Sequence, residues 1–271
     1  MIRVAFQGER GAFSEDAVIT FFHEAKTLPC HSLSDVFEAV LRDNVDFGAV
    51  PVENSQAGSI NETYDLLLNY PLNICGEIDL RISHCLMALP GENLAGIKMV
   101  FSHPQALAQC QEFLNKLEVE SLPAYDTAGS AKKIKDEGIR GQAAIASRRA
   151  AEIYGLEILA ADIETNINNY TKFLIISKQK ASRAPQNKTS LVFTTKNIPG
   201  ALYASLGAFA KRDINLTKLE SRPSRDKPWE YVFYVNFEGH IDDEVCQQAL
   251  AELKEKTSFF KILGSYPRAT N

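Results

Sequence analysis

Cysteine is scarce and scattered in this sequence. There are five in 271 residues (Cys30, Cys75, Cys85, Cys110 and Cys246), with no CxxC pair. That number and spacing argue against a disulfide framework and against a zinc site. The five read as small buried hydrophobes in a reducing compartment. Positive charge is not in excess: 29 Lys and Arg stand against 34 Asp and Glu, a net charge of -5. A broadly basic nucleic-acid-binding surface is thereby excluded. No apolar run reaches the ~18 residues of a membrane-spanning helix. Residues 1–8 read as a strand running into a glycine turn and not as a signal peptide. HExxH, Walker A and a Ser-His-Asp order are all missing. The expectation is a cytoplasmic protein that engages neither nucleic acid nor membrane.

Hydrophobic residues at 45% and charged residues at 23% are ordinary for a globular chain, and the length suits two domains. Over residues 1–178, short apolar runs (Ile2–Phe6, Phe47–Val52, Met99–Phe101, Ala143–Ala146, Phe173–Ser177) alternate with capped, helix-periodic segments. That alternation predicts α/β architecture with mostly parallel sheets, whose ligand sites lie at the carboxyl ends of strands. Residues 179–188 are polar, contain Pro185 and read as a linker. From residue 189 the pattern becomes βαββαβ, the α+β ferredoxin-like arrangement, in roughly eighty residues.

Five polar loops sit at predicted strand ends. Gly8–Glu15 places glycines before a helix start, a ready anion site. Glu53, Asn54, Ser55 and Ser59 follow a buried strand, with Gly58 allowing close backbone approach. Ser102–Gln105 contains His103, which could titrate near neutral pH but equally suits a structural position at a helix start. Asp126–Ser130 brings hydroxyls to another helix start, and Asn169–Phe173 brings Thr171 and Lys172 to the last buried strand. Hydroxyls, amides and helix N-termini with few strong bases suit the binding of a small carboxylated molecule.

These stretches, GERGAFSE, PVENSQAGSI, SHPQALAQC, YDTAGSA, AAIAS and NNYTKF in that order, resemble the motif series of prephenate dehydratases. The C-terminal part resembles an ACT regulatory domain, with Gly200-Ala201-Leu202 and Leu206 similar to a GALxxxL motif and Glu220-Ser221-Arg222-Pro223 to an ESRP motif. The resemblance implies a catalytic domain over 1–178 similar to type II periplasmic binding proteins. One lobe would be 1–78 plus 160–178 and the other 79–159, followed by the 179–188 linker and an ACT domain over 189–271. It implies conversion of prephenate to phenylpyruvate in phenylalanine biosynthesis. Feedback by phenylalanine would act at Gly200, Ala201, Leu202, Glu220, Ser221, Arg222 and Pro223, in a homodimer or homotetramer.

In that reading Thr171 serves the leaving hydroxyl and Glu53 is a protonated partner in a dry setting. Asn54, Ser55, Ser59, Thr127 and Ser130 donate to carboxylates, Lys172 is the local cation and Phe173 an apolar wall. No metal or organic cofactor is required. Lys172 stands where the family usually has arginine; lysine keeps the charge but loses the planar bidentate fork. Two alternatives remain open: an arogenate dehydratase that makes phenylalanine directly, and a non-catalytic amino-acid sensor.

Overall fold

The computed structural model describes residues 1–224 and 230–269. The chain divides into two compact units, Met1–Thr63 with Ile78–Phe173, and Tyr64–Glu77 with Leu174–Asn271. The architecture is α/β followed by a ferredoxin-like domain, as the alternation and its change at residue 189 predict.

Two sheets organise the first unit. The first runs in the order Ala25–Cys30, Ile2–Gln7, Phe47–Asn54, then the parts of Tyr170–Ser177 and Asn73–Arg81 that lie in this unit, with the short Gly58–Ser59 strand added to Phe47–Asn54. Ile2–Gln7 pairs in parallel with both of its neighbours. Val4, Ala5 and Phe6 are wholly buried, as are Ala49 and Val50. Each large side chain so buried contributes about 1.5–3 kcal/mol. The second sheet has the order Glu157–Ala160, Cys85–Ala88, Gln142–Ala146, Met99–Ser102, Glu120–Pro123. Its core joins Leu86, Val100, Ala143 and Ile145 to Ala106 and Leu107 of the helix Pro104–Gln109, Leu114 of the helix Gln111–Leu117, and Cys110 between the two.

The sequence suggests Ser14, Ser34, Thr127 and Ser147 as helix caps and Pro104 in the first turn of a helix, and three of these starts are displaced. Ser32, not Ser34, caps Leu33–Leu41 in a reciprocal capping box with Asp35. Asp126, not Thr127, caps Thr127–Glu137. Ala12, not Ser14, precedes Phe13–Phe22, so that helix begins with no side-chain cap at all. Ser147 caps Arg148–Tyr154, and Pro104 opens its helix, both as expected.

The first glycine loop is pressed onto the Arg148–Tyr154 helix. A Cβ on Gly11 would stand 2.7 Å from the Ala150 Cα, and its φ of +87° lies in the region glycine favours. Ser147 Oγ donates to Gly11 O at 2.6 Å and Tyr154 OH to Arg10 O at 2.9 Å. Buried Glu15 accepts from Gly11 N at 2.6 Å and from Thr27 Oγ1 at 2.8 Å. The two sheets of this unit are thus pinned together at the loop that follows the first strand.

In the second unit a four-stranded antiparallel sheet runs Leu216–Pro223, Tyr231–Glu238, Asn187–Thr195, Thr257–Pro267. Helices Ala201–Ala210 and Glu244–Lys256 cover it, with Leu191, Phe193, Val235, Phe237, Phe209 and Leu253 in the core. Residues 64–77 belong to this body. Lys261 Nζ donates to the carbonyls of Leu67, Leu68 and Tyr70 at 2.8–2.9 Å, capping the Asn61–Asn69 helix. Arg222 donates to Asp65 at 2.8 Å. Lys188, at the end of the polar stretch, is buried against Glu77, reaching both carboxylate oxygens at 2.6 and 2.8 Å.

Candidate active site

A cleft of about 320 Å³ opens in the first unit, walled by both of its sheets. Strand carboxyl ends supply Gln7 and Asn54, the amino-terminal half of the strand Tyr170–Ser177 supplies Thr171 and Phe173, and helix starts supply Phe13, Ser14, Gln105 and Thr127. The helix at Phe13 has no side-chain cap, and its first two residues, Phe13 and Ser14, line the cleft.

Alternation along the strands decides which side chains enter. Asn54 is buried, while Glu53 is half-buried and Ser55 exposed. Thr171 and Phe173 are buried and line the cleft; Lys172, between them, is directed elsewhere and pairs with Asp79. Of the expected site residues the structure therefore gathers Asn54, Thr127, Thr171 and Phe173 in one cleft. Among the described residues Glu53, Ser55, Ser59, Ser130 and Lys172 do not line it. Glu53 lies opposite Ser59 in strand pairing. Ser55 Oγ donates to Asn168 O at 3.1 Å and accepts from Tyr170 N at 3.0 Å, fastening the loop to the last strand. Ser130 Oγ donates to Asp126 O within its own helix start.

A chain of amides crosses the cleft floor, and its polarity is fixed from one end. Asn54 Oδ1 accepts from the backbone N–H of Gln56 at 3.1 Å and of Ala57 at 2.9 Å. Its Nδ2 must then be the group directed at Thr171 Oγ1 at 3.0 Å and at Asn169 Oδ1 at 2.9 Å. Asn169 Nδ2 in turn donates to Gln109 Oε1 at 3.1 Å. The same oxygen lies 2.9 Å from His84 Nε2, so that nitrogen carries the proton. His84 is buried, its Nδ1 has no partner among the described residues, and burial lowers its pKa. The imidazole is accordingly neutral.

Thr171 Oγ1 accepts from Asn54 and lines the cleft, and its own proton remains available to another acceptor. His84, Gln109 and Asn169 are functional candidates that sequence reasoning did not single out. Gln109 and Asn169 do fall inside the quoted SHPQALAQC and NNYTKF stretches, and that was the available signal.

At the other wall, His103 Nδ1 accepts from Gln105 N at 3.2 Å, and burial lowers the His103 pKa. Asp126 accepts from Gly129 N as the helix cap, and burial raises its carboxyl pKa. Among the described residues no group of three or more His, Cys, Asp or Glu is arranged to hold a metal ion. No helix of the described residues is long and apolar enough to cross a membrane.

A family model described as prephenate dehydratase matches residues 4–181, and one described as ACT domain matches residues 189–255. The chain belongs to the prephenate dehydratase family. It is 45% identical to arogenate dehydratase/prephenate dehydratase 2, chloroplastic, of Arabidopsis thaliana, over 98% of this chain and 73% of that one. Among solved structures, it resembles the prephenate dehydratase of Arthrobacter aurescens in complex with L-Phe (32% identity, TM-score 0.90, 99% of this chain and 90% of that chain). It also resembles a protein described as a quorum-quenching acylase (35% identity, TM-score 0.91, 98% of each chain).

As a prephenate dehydratase with an ACT domain, the chain carries its second group of expected residues in the other unit. Gly200, Ala201 and Leu202 line a cavity of about 250 Å³ with Ile198, Tyr203 and Phe233. Arg222 and Pro223 line a different one of about 390 Å³, where Arg222 holds Asp65. Glu230 is common to both. Glu220 pairs with Lys218 at 3.1 Å, and among the described residues Glu220 and Ser221 line neither cavity. Among the described residues, then, the GAL and ESRP groups of this dehydratase line separate cavities within one chain.

Proposed function

We propose that this chain catalyses the decarboxylating dehydration of prephenate to phenylpyruvate in phenylalanine biosynthesis, under feedback by phenylalanine. The Thr171 hydroxyl, which lines the cleft and accepts from Asn54, is the observation that supports this reading. The bond from the ring carbon to its carboxylate breaks, releasing carbon dioxide. Its electron pair enters the ring, and the ring hydroxyl on the opposite carbon departs as hydroxide, which takes a proton from solvent to become water. Aromatisation drives the step, so no covalent intermediate is needed. Thr171 donates a hydrogen bond to the departing oxygen, where negative charge develops. The first-turn N–H groups at Phe13 and Ser14 hold a carboxylate, and Phe173 supplies an apolar wall against the forming aromatic ring.

In this reading residues 1–178 form the catalytic part and 189–271 the regulatory part. Phenylalanine binds at an interface between ACT domains of a dimer or tetramer. Support for a covering partner comes from Ile198 and Tyr203 beside Gly200, which are 61% and 85% exposed. Five free thiols suit a reducing cytoplasm. The test is to incubate the purified chain with prephenate and follow phenylpyruvate absorbance; no product would defeat the assignment. The same chemistry on the aminated substrate, arogenate, is a second reading, favoured by the carboxylate of Asp126 on the cleft wall.

A further inference from the structure

The cleft contains a carboxylate with no cation set against it. Among the described residues that line it, Asp126 is the one acid, and there is no lysine or arginine. One Asp126 oxygen is engaged by Gly129 N at the start of the Thr127–Glu137 helix. The Glu9 backbone N–H also donates to this carboxylate, whose Oδ2 stands 4.0 Å from where a Gly8 Cβ would lie, and Gly8 is itself part of the cleft wall. The nearby acid Glu9 is satisfied by Lys132 at 3.0 Å. The nearby imidazole, His103, is drawn toward its neutral form by burial.

Such a carboxylate favours a ligand that brings a positive donor. The two substrates open to a dehydratase of this family differ at that kind of group. Prephenate carries a keto oxygen on its side chain, an acceptor only. Arogenate carries an ammonium there, with three donors and a positive charge. A keto oxygen against a carboxylate sets two acceptors together, whereas an ammonium makes a charge-assisted hydrogen bond.

Resting on the dehydratase reading above, we propose that Asp126 is the residue that discriminates between the two substrates, accepting from the ammonium of the aminated one and disfavouring the keto group of the other. The helix cap makes this testable without loss of fold. Asparagine and serine cap as well as aspartate does, so Asp126→Asn and Asp126→Ser keep the helix start and remove the charge.

The experiment measures kcat/KM of the full chain and of both variants on prephenate and on arogenate, with urea midpoints as a folding control. Loss of a hydrogen bond to a charged group corresponds to about 10- to 100-fold. The expected result is a shift of that size in the ratio of arogenate to prephenate kcat/KM, toward prephenate, in both variants. A parallel fall on both substrates, no change on either, or a wild-type chain that does not turn over arogenate overturns the proposal while leaving the dehydratase reading in place. A wild-type chain that turns over neither substrate overturns the dehydratase reading, and this inference with it.

Discussion

Asn54 Nδ2 lies 3.0 Å from Thr171 Oγ1 and donates to it, while the Asn54 oxygen is held by two backbone N–H groups. The pair fills one side of the threonine oxygen with a donor. Asn54→Asp preserves size and the two backbone bonds but offers Thr171 an acceptor in place of a donor. The hydroxyl then turns away from substrate. We expect Asn54→Asp and Thr171→Val each to lower kcat about 100- to 1,000-fold, the range for removing one well-placed donor to developing charge. Near-normal turnover in Thr171→Val would place the hydroxyl outside the chemistry.

Stability at acid pH should carry the signature of His84. Burial is the first cause of its lowered pKa, opposed by Gln109 and Glu164. A histidine whose folded pKa lies below its ordinary 6.5 adds stability above 6.5, and that stability is lost as the pH falls toward the folded value. The urea midpoint of the wild type should drop between pH 7.5 and pH 5.5, and more gently for His84→Gln. Equal slopes for the two proteins would assign the acid sensitivity to other groups.

Lys172 is expected to be nearly silent toward substrate. Its ammonium engages Asp79, and it sits on the strand face opposite to Thr171 and Phe173. Steady-state kinetics of Lys172→Arg should give a KM within about twofold of wild type. Lys172→Ala should cost about 0–1 kcal/mol of stability, as for a partly exposed ion pair. A tenfold or larger change in KM for Lys172→Arg would return this residue to the binding site.

Gly200 opens its helix with a φ of +78°, which a β-branched residue adopts only under strain. Calorimetric titration of phenylalanine into the full chain should show saturable binding that Gly200→Val abolishes. Dehydratase turnover without phenylalanine should be kept. Undiminished binding in that variant would separate the effector from the Gly200 loop.

Much of the architecture is legible because local chemistry and tertiary structure agree. Apolar runs became strands, Ser147 and Pro104 began helices, and the change of pattern at residue 189 marked a different fold. Among the expected site residues, period-two alternation separates those that enter the cleft from their neighbours. Asn54 and Thr171 point in, while Glu53, Ser55 and Lys172, although in the same motifs, point elsewhere. Reading a motif as a block hides that distinction. His84, Gln109 and Asn169 come from three separate elements, and a lone amide or imidazole carries no local pattern. Their partnership exists only after folding. The attachment of residues 64–77 to the C-terminal body was equally hidden, since it rests on single long side chains such as Lys188, Lys261 and Arg222.

That attachment limits how such a protein could escape control over evolutionary time. The body that carries the ACT fold is assembled from two stretches far apart in the gene, so a stop codon near residue 178 would not release an unregulated enzyme. It would strand the Glu77 carboxylate without Lys188, the last carbonyls of the Asn61–Asn69 helix without Lys261, and Asp65 without Arg222. A buried charge deprived of its partner alone costs about 3–5 kcal/mol, a large share of the ~5–15 kcal/mol that keeps a domain folded. Feedback-resistant descendants should therefore arise by substitution within the effector loops and not by deletion.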